Sequence, residues 1–403
     1  MFFTKAKKEG AVSADAEKIE TLLTRSVAEI IPSKESLHKL LTSKKRLRVK
    51  LGIDPTSPHL HIGRAVTILK LKDFQDLGHH IVFIIGDATG VVGDTSDKES
   101  ERPMLSKEAI ETNLREYVGQ ITKLLDPKQM EVRHNSEWLL KLDYAEIGDQ
   151  ADAFSVADFI ARDNIRRRLD QGKRVSLREV LYPLMQGYDS VAVEADVELG
   201  GTDQRFNLLA GRALQEKAGQ APQHIVMTEL IPGTDGRKMS SSWGNTVNLD
   251  AEPVDMFGKL MSIPDSLTET YFVHCTRVPM GEVANVMKQH PKDAKFALAR
   301  EIVRMYHGEA AAEKAAHDFT ETFSKGGVPS DVPAVALTPG DEVAPAVVAA
   351  GIVPSKGEWR RLVMDGAVKD AETGEKIMDP AFRFESPRVL RVGKHRFISL
   401  KEK

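Results

Sequence analysis

Residues 46–86 carry the pattern that most restricts what this chain can fold into. Leu47–Leu51 alternates in polarity, residues 52–60 read as a loop containing Pro55 and Pro58, and Ile62, Ala65, Val66 and Leu69 recur at helical spacing. Gly78 closes that helix, and Ile81–Ile85 is an unbroken apolar run of the kind that suits a parallel strand covered on both faces. Strand, helix and strand in this order form a βαβ unit. Such a unit belongs in an open parallel sheet of the Rossmann type, which binds ligands beyond the carboxyl ends of its strands.

The pattern continues downstream. Ser176 and Glu179 have capping-box spacing and open a helix that runs to about Val191. Val197–Leu199 reads as a short strand ending in Gly200 and Gly201, followed by a helix from about Asp203 to Gly219 and a strand at Ile225–Met227. The expected class is therefore α/β, with a Rossmann-type parallel-sheet catalytic domain and an N-terminal extension over residues 1–240. Helical spacing such as that of Lys295–Met305 predicts an all-α domain over 241–325. Gly326, Gly327, Pro329, Pro333, Pro339 and Gly340 predict a linker over 326–340, and a small α+β module over 341–403 follows.

Composition removes several classes of function. The 403 residues carry 56 Lys and Arg against 59 Asp and Glu, a net charge of −3, which excludes a histone-like protein but not an enzyme with a local basic patch. The single cysteine, Cys275, excludes an intrachain disulfide and every cysteine-based zinc motif. The first ten residues lack the apolar core of a secretory signal, and no later run is long enough to cross a bilayer. A cytoplasmic protein without membrane contact is expected.

Three constellations carry chemistry. His59, His61, Gly63 and Arg64 stand where the first helix opens, and a helix amino terminus in a βα turn attracts anions. With a strand and Asp54-Pro-Thr56 before it, this segment reads equally as a phosphate site or as a decorated loop. Residues 233–244 place Lys238 and three serines, Ser240–Ser242, between glycines. Alone that is a surface turn, but paired with the histidine segment it becomes a candidate polyphosphate loop. Tyr182, Gln186 and Asp189 share one face of a helix whose neighbours Leu181, Leu184 and Met185 are apolar. Polar groups on a buried stripe need partners, supplied by an internal network or by a polar ligand.

The histidine and lysine segments resemble the HIGH and KMSKS signatures of class I aminoacyl-tRNA synthetases. Tyr182-x3-Gln186-x2-Asp189, followed by Gly200-Gly201-Thr-Asp203-Gln204, resembles the tyrosine pocket of the bacterial tyrosyl enzymes, and the likeness is strongest from about residue 48 to 250. The resemblance implies activation of L-tyrosine by ATP with Mg2+, then transfer to the 3′ end of tRNA(Tyr), in a homodimer with no tightly bound cofactor and no protein-bound metal. It implies that Asp189 accepts the substrate phenol, that Tyr182, Gln186 and Asp94 hold its ammonium, and that Thr89 and Gln204 line the same pocket. Thr56, His61, Lys98, Arg102, Lys238 and Ser240 are the implied catalytic group at the phosphates. Gly52, Asp54, Gly63, Arg64, Gly201, Asp203 and Ser241 are implied to bind ATP and adenylate together with His61 and Lys238.

Three positions depart from the pattern: Arg64 replaces the second histidine, Ser241 the second lysine, and Lys50 a tyrosine that many relatives place near the phenol. Ser355–Lys369 reads as a capped helix and a strand, and resembles the S4-type RNA-binding module; Lys356, Arg360, Arg361 and Lys369 are its candidate phosphate contacts. Three other readings stay open: a tryptophanyl enzyme, a bare nucleotidyltransferase, and a non-catalytic RNA-binding relative.

Overall fold

The computed structural model describes residues 11–55, 57–94, 113, 116–321, 332–393 and 396–403. Thr56, Lys98 and Arg102 therefore lie outside the described residues. The chain divides into two units, one of residues 1–250 with 269–283, the other of residues 251–268 with 284–403.

Among the described residues, the first unit is built on six strands: β1 (Val27–Ile31), β2 (Arg48–Ile53), β3 (His80–Ile85), β4 (Met130–His134), β5 (Val197–Gly201) and β6 (His224–Thr228). Their spatial order is β1-β6-β5-β2-β3-β4, with β1 antiparallel to β6 and the remaining pairs parallel. From β2 the chain runs outward through β3 and β4, then returns to the other side of β2 for β5 and β6. The order thus reverses between β2 and β5, and the ends of those two strands form the crevice where ligands are expected.

Helix α1 (Ala16–Thr24) and α2 (Lys34–Thr42) precede the central βαβ unit, whose helix is α3 (Ile62–Asp76). His61 caps α3 in extended conformation, and Gly78 ends it at φ +88°, a geometry that favours glycine. Short helices α4 (Asp87–Val92) and α5 (Ser136–Leu139) follow the ends of β3 and β4. α6 (Leu177–Ala192) starts with the expected capping box: Ser176 Oγ accepts from the Arg178 amide at 3.2 Å, and Glu179 Oε1 from the Ser176 amide at 3.0 Å. α7 (Arg205–Lys217) packs against α6, where Gly187 leaves room for the Ala210–Gly211 backbone.

In the second unit, α8 (Pro253–Met261) meets the hairpin of α10 (Pro291–His307) and α11 (Glu309–Phe319) through Phe257, which stacks near Phe296 and Phe319. Helix α9 lies between them in sequence (Thr268–Cys275), yet from Glu269 it belongs to the first unit. Arg25 explains that placement, donating to the carbonyls of Phe272, Val273 and Val278.

The carboxyl-terminal part has α12 (Val343–Ala349) and α13 (Lys356–Met364) against a sheet ordered β7-β10-β9-β8, formed by Ala334–Leu337, Arg396–Glu402, Arg388–Val392 and Val368–Asp370. Trp359, Val363, Leu390 and Ile398 fill its core. The segment expected as a linker contains β7, because Ala334–Leu337 find parallel partners in Ser399–Glu402 that proline spacing cannot reveal. Likewise, the unit boundary at 250 lies beyond the expected 240, because residues 245–249 are bound to the start of α3.

Candidate active site

A cleft of about 530 Å³ opens at the carboxyl ends of β2 and β5. Its wall gathers Gly52, Asp54, His61, Gly63, Arg64, Asp94, Tyr182, Gln186, Gly201, Asp203, Gln204, Lys238, Ser240 and Ser241. All of these were expected site residues, drawn from five separate stretches of sequence. Thr89 and Asp189 are buried just behind the wall, at 2 % and 3 % exposure.

The two signature segments are joined by backbone. The Ile62 amide donates to Val247 O at 2.9 Å and the Leu249 amide to Leu60 O at 2.8 Å, so the strand-like stretch after the lysine loop is anchored to the mouth of α3. Asn245 sets the loop itself. Its Nδ2 donates to Lys238 O at 3.0 Å and to Asp235 Oδ1 at 2.8 Å, while its Oδ1 accepts from the Ser240 amide at 2.8 Å. Hydrogen bonds from Asn245 and the neighbouring Arg237 pull the Asp235 carboxyl down to about 2. Arg237 also lies over the Trp243 ring, and Arg64 is held by the Tyr117 hydroxyl at 2.9 Å.

The polar helix face of α6 looks into the pocket as expected. Tyr182 donates its hydroxyl to Asp54 Oδ2 at 2.8 Å, and Thr89 Oγ1 donates to Asp54 Oδ1 at 2.7 Å. Asp54, expected among the ATP contacts, thus has its carboxylate committed to two residues expected at the tyrosine. Burial and the Asp54 carboxylate push the Tyr182 phenol well above its ordinary range.

Asp189 is bound on both oxygens, by Trp138 Nε1 at 2.8 Å and Asn135 Nδ2 at 3.3 Å. Burial pushes its carboxyl up to about 7, opposed by the positive charge of Lys50 and these two donors. Asn135 and Trp138 escaped the sequence reading. The signal was the alternation of Met130–His134, which makes β4 and puts the next residues at the carboxyl edge of the sheet.

Lys50 does not line the cleft. Its side chain is fully buried beneath α6, where Nζ meets Glu198 Oε1 at 2.9 Å, Ser190 Oγ at 2.7 Å and Gln186 O at 3.1 Å. Glu198 was also missed, since a single acidic residue in an apolar strand carries no motif.

A family model described as tRNA synthetases class I (W and Y) matches residues 42–324. The chain belongs to the class I tRNA synthetases. Among its relatives are the tyrosine–tRNA ligase of Moorella thermoacetica, 45 % identical over 94 % of both chains, and that of Thermotoga maritima, 44 % identical over 93 % of this chain and 95 % of the other. Two solved structures share the fold. A truncated mitochondrial tyrosyl-tRNA synthetase from Aspergillus nidulans superposes with a TM-score of 0.66 at 23 % identity, covering 76 % of this chain and 94 % of that one. A tyrosyl-tRNA synthetase from Archaeoglobus fulgidus complexed with L-tyrosine gives 0.60 at 24 %, covering 74 % and 99 %. In this synthetase the two segments that resemble the family's paired signatures are joined through Ile62 and Leu249.

Proposed function

We propose that this synthetase is a tyrosine–tRNA ligase. The supporting observation is the Asp189 carboxylate, buried beside a cleft that also contains both signature segments. A phenol hydroxyl that reaches Asp189 finds an acceptor already oriented by Trp138 and Asn135. Phenylalanine would leave that carboxylate short of a partner, and tyrosyl enzymes are the standard illustration of such discrimination.

In the first step a carboxylate oxygen of tyrosine attacks the α-phosphorus of ATP, and the bond to pyrophosphate breaks. The nucleophile is already ionised, so no base is needed; positioning and stabilisation of phosphate charge suffice. In the second step a ribose hydroxyl of the tRNA 3′ end attacks the tyrosyl carbonyl and AMP leaves. Asp54, Asp94, Tyr182, Gln186, Thr89 and Gln204 surround the amino acid, and Asp94 accepts from Gln204 Nε2 at 2.8 Å. Gly52, His61, Gly63, Arg64, Gly201, Asp203, Lys238, Ser240 and Ser241 take the nucleotide. Thr56, Lys98 and Arg102 remain assigned to the phosphates by resemblance. Mg2+ enters with ATP, as part of that substrate.

No helix among the described residues is long and apolar enough to cross a membrane. We assign the protein to the cytoplasm, in keeping with its tRNA substrate. A homodimer is supported by the exposed side chains of Leu140, Tyr144, Val156, Ile160, Leu169 and Leu177, apolar residues concentrated in one stretch of the first unit. Sedimentation analysis is expected to give twice the chain mass.

Pyrophosphate exchange into ATP, run without tRNA, tests the central reading. Exchange is expected with tyrosine and not with phenylalanine or tryptophan; exchange driven by tryptophan would overturn the substrate assignment.

A further inference from the structure

Lys50 and Glu198 face each other across β2 and β5 in direct register, at 0 % and 1 % exposure. A buried ion pair is a poor way to stabilise a core, since apolar residues of similar volume commonly do as well or better. Its placement points to another role. Glu198 Oε1 lies 2.9 Å from Lys50 Nζ and 3.5 Å from Gln186 Nε2, at the outer limit of a hydrogen bond. Its Oε2 accepts from Ser190 Oγ at 3.0 Å and from Gln223 Nε2.

Gln186 ends a relay of three side-chain amides. Gln204 Nε2 donates to Asp94 Oδ2 at 2.8 Å and Asp203 Oδ2 at 3.2 Å, which turns its oxygen toward Asn207. Asn207 Nδ2 then donates to Gln204 Oε1 at 3.0 Å and to Gln186 Oε1 at 3.1 Å. Ionised carboxylates accept only, so carboxylates at both ends dictate which way every amide in the chain points. At the far end stands Glu198, and a carboxylate at such depth is normally paired with a cation. Lys50 is that cation.

We propose that Lys50 and Glu198 are positioning residues for amino-acid recognition, holding the Gln186 amide with its nitrogen toward the core and its carbonyl oxygen available to the substrate ammonium. The inference rests on the reading of Gln186 as an ammonium contact. It also accounts for the lysine found where many relatives have a tyrosine: the side chain acts beneath the pocket, not in it.

Binding of L-tyrosine and of its des-amino analogue 3-(4-hydroxyphenyl)propionate to the full chain, measured by calorimetry without ATP, separates the possibilities. In the charge-neutral pair Lys50→Met with Glu198→Gln, tyrosine affinity is expected to fall about tenfold while the analogue changes less than about twofold. Equal weakening of both ligands, or of neither, would overturn the proposal. Gln186→Leu serves as the control. If it fails to weaken tyrosine selectively, the ammonium reading falls and the inference with it; if it does so while the double variant does not, the inference alone falls. Should the double variant lose its melting transition, Glu198→Gln alone is read by the same two ligands.

Discussion

A β-carbon placed on Gly63 would lie 2.7 Å from the sulfur of Met239 and 3.0 Å from His61 Nδ1. The two signature segments therefore touch at a point where an added β-carbon would crowd side chains from both. Gly63→Ala must shift the Met239 side chain of the lysine loop or the His61 ring, so the KM for ATP is expected to rise about tenfold while that for tyrosine stays within about twofold. Pyrophosphate exchange at varied concentrations of each substrate measures both.

Asn245 gives a second, independent handle on the loop. Asn245→Ala removes partners from Lys238 O, the Ser240 amide and Asp235 together. Each such bond is worth about 1 kcal/mol net, so the loss is large enough to loosen the loop without unfolding the sheet. Slower adenylate formation in single-turnover experiments is expected, with tyrosine affinity retained.

The pH dependence follows from Asp189. With its carboxyl raised to about 7, the pocket loses its ionised acceptor as pH falls through neutrality, and kcat/KM for tyrosine should decline below about pH 7. Trp138→Phe deletes an N–H donor that favours the ionised form, so the acidic limb is expected to move upward. The same group affects stability in the opposite sense. The folded state binds a proton that the unfolded chain has released between about pH 4 and 7, so this contribution to stability falls as pH rises across that window. A kcat/KM profile that is flat from pH 6 to 8 would contradict the assignment.

Asp73 neutralises a cluster of buried cations in the first unit. Its carboxylate meets Arg277 Nε at 2.8 Å and Lys70 Nζ at 3.1 Å, and Lys70 is fully buried. Desolvation pulls the Lys70 ammonium down to about 8, with Asp73 resisting that shift. Asp73→Asn leaves cations facing one another and is expected to cost about 3 kcal/mol in urea unfolding, with Lys70→Met restoring part of it.

On the carboxyl-terminal module, Arg361 is committed to Glu358 at 2.7 Å and Asp365 at 3.3 Å, whereas the neighbouring Arg360 on α13 and Lys369 on β8 are exposed. Charge reversal at Arg360 and Lys369 is expected to weaken tRNA charging and flatten its salt dependence, leaving pyrophosphate exchange unchanged.

Much of the first unit was legible because its signals are local. The periodicity of Ile62–Leu69, the apolar run of Ile81–Ile85 and the Ser176–Glu179 box each gave an element near its observed place. The cleft residues were legible through motif resemblance, which ties together segments far apart in sequence. What stayed hidden depends on tertiary pairing. Nothing local marks Trp138 as the donor to Asp189, Asn245 as the organiser of the lysine loop, or Lys50 as the partner of Glu198 across two strands.

The pairing of β7 with β10 alters where the carboxyl-terminal module can be said to begin. Ser399 and Leu400 lie between Val389 and Arg388 on one side and Ala334 and Val335 on the other, and Lys401 and Glu402 pair with Ala336 and Leu337. A piece starting at residue 341 would expose the main-chain donors and acceptors along that side of β10, and open edges of this kind recruit strands from other molecules. Four residues upstream of the expected module thus cover an edge that its own helices and central strands leave open.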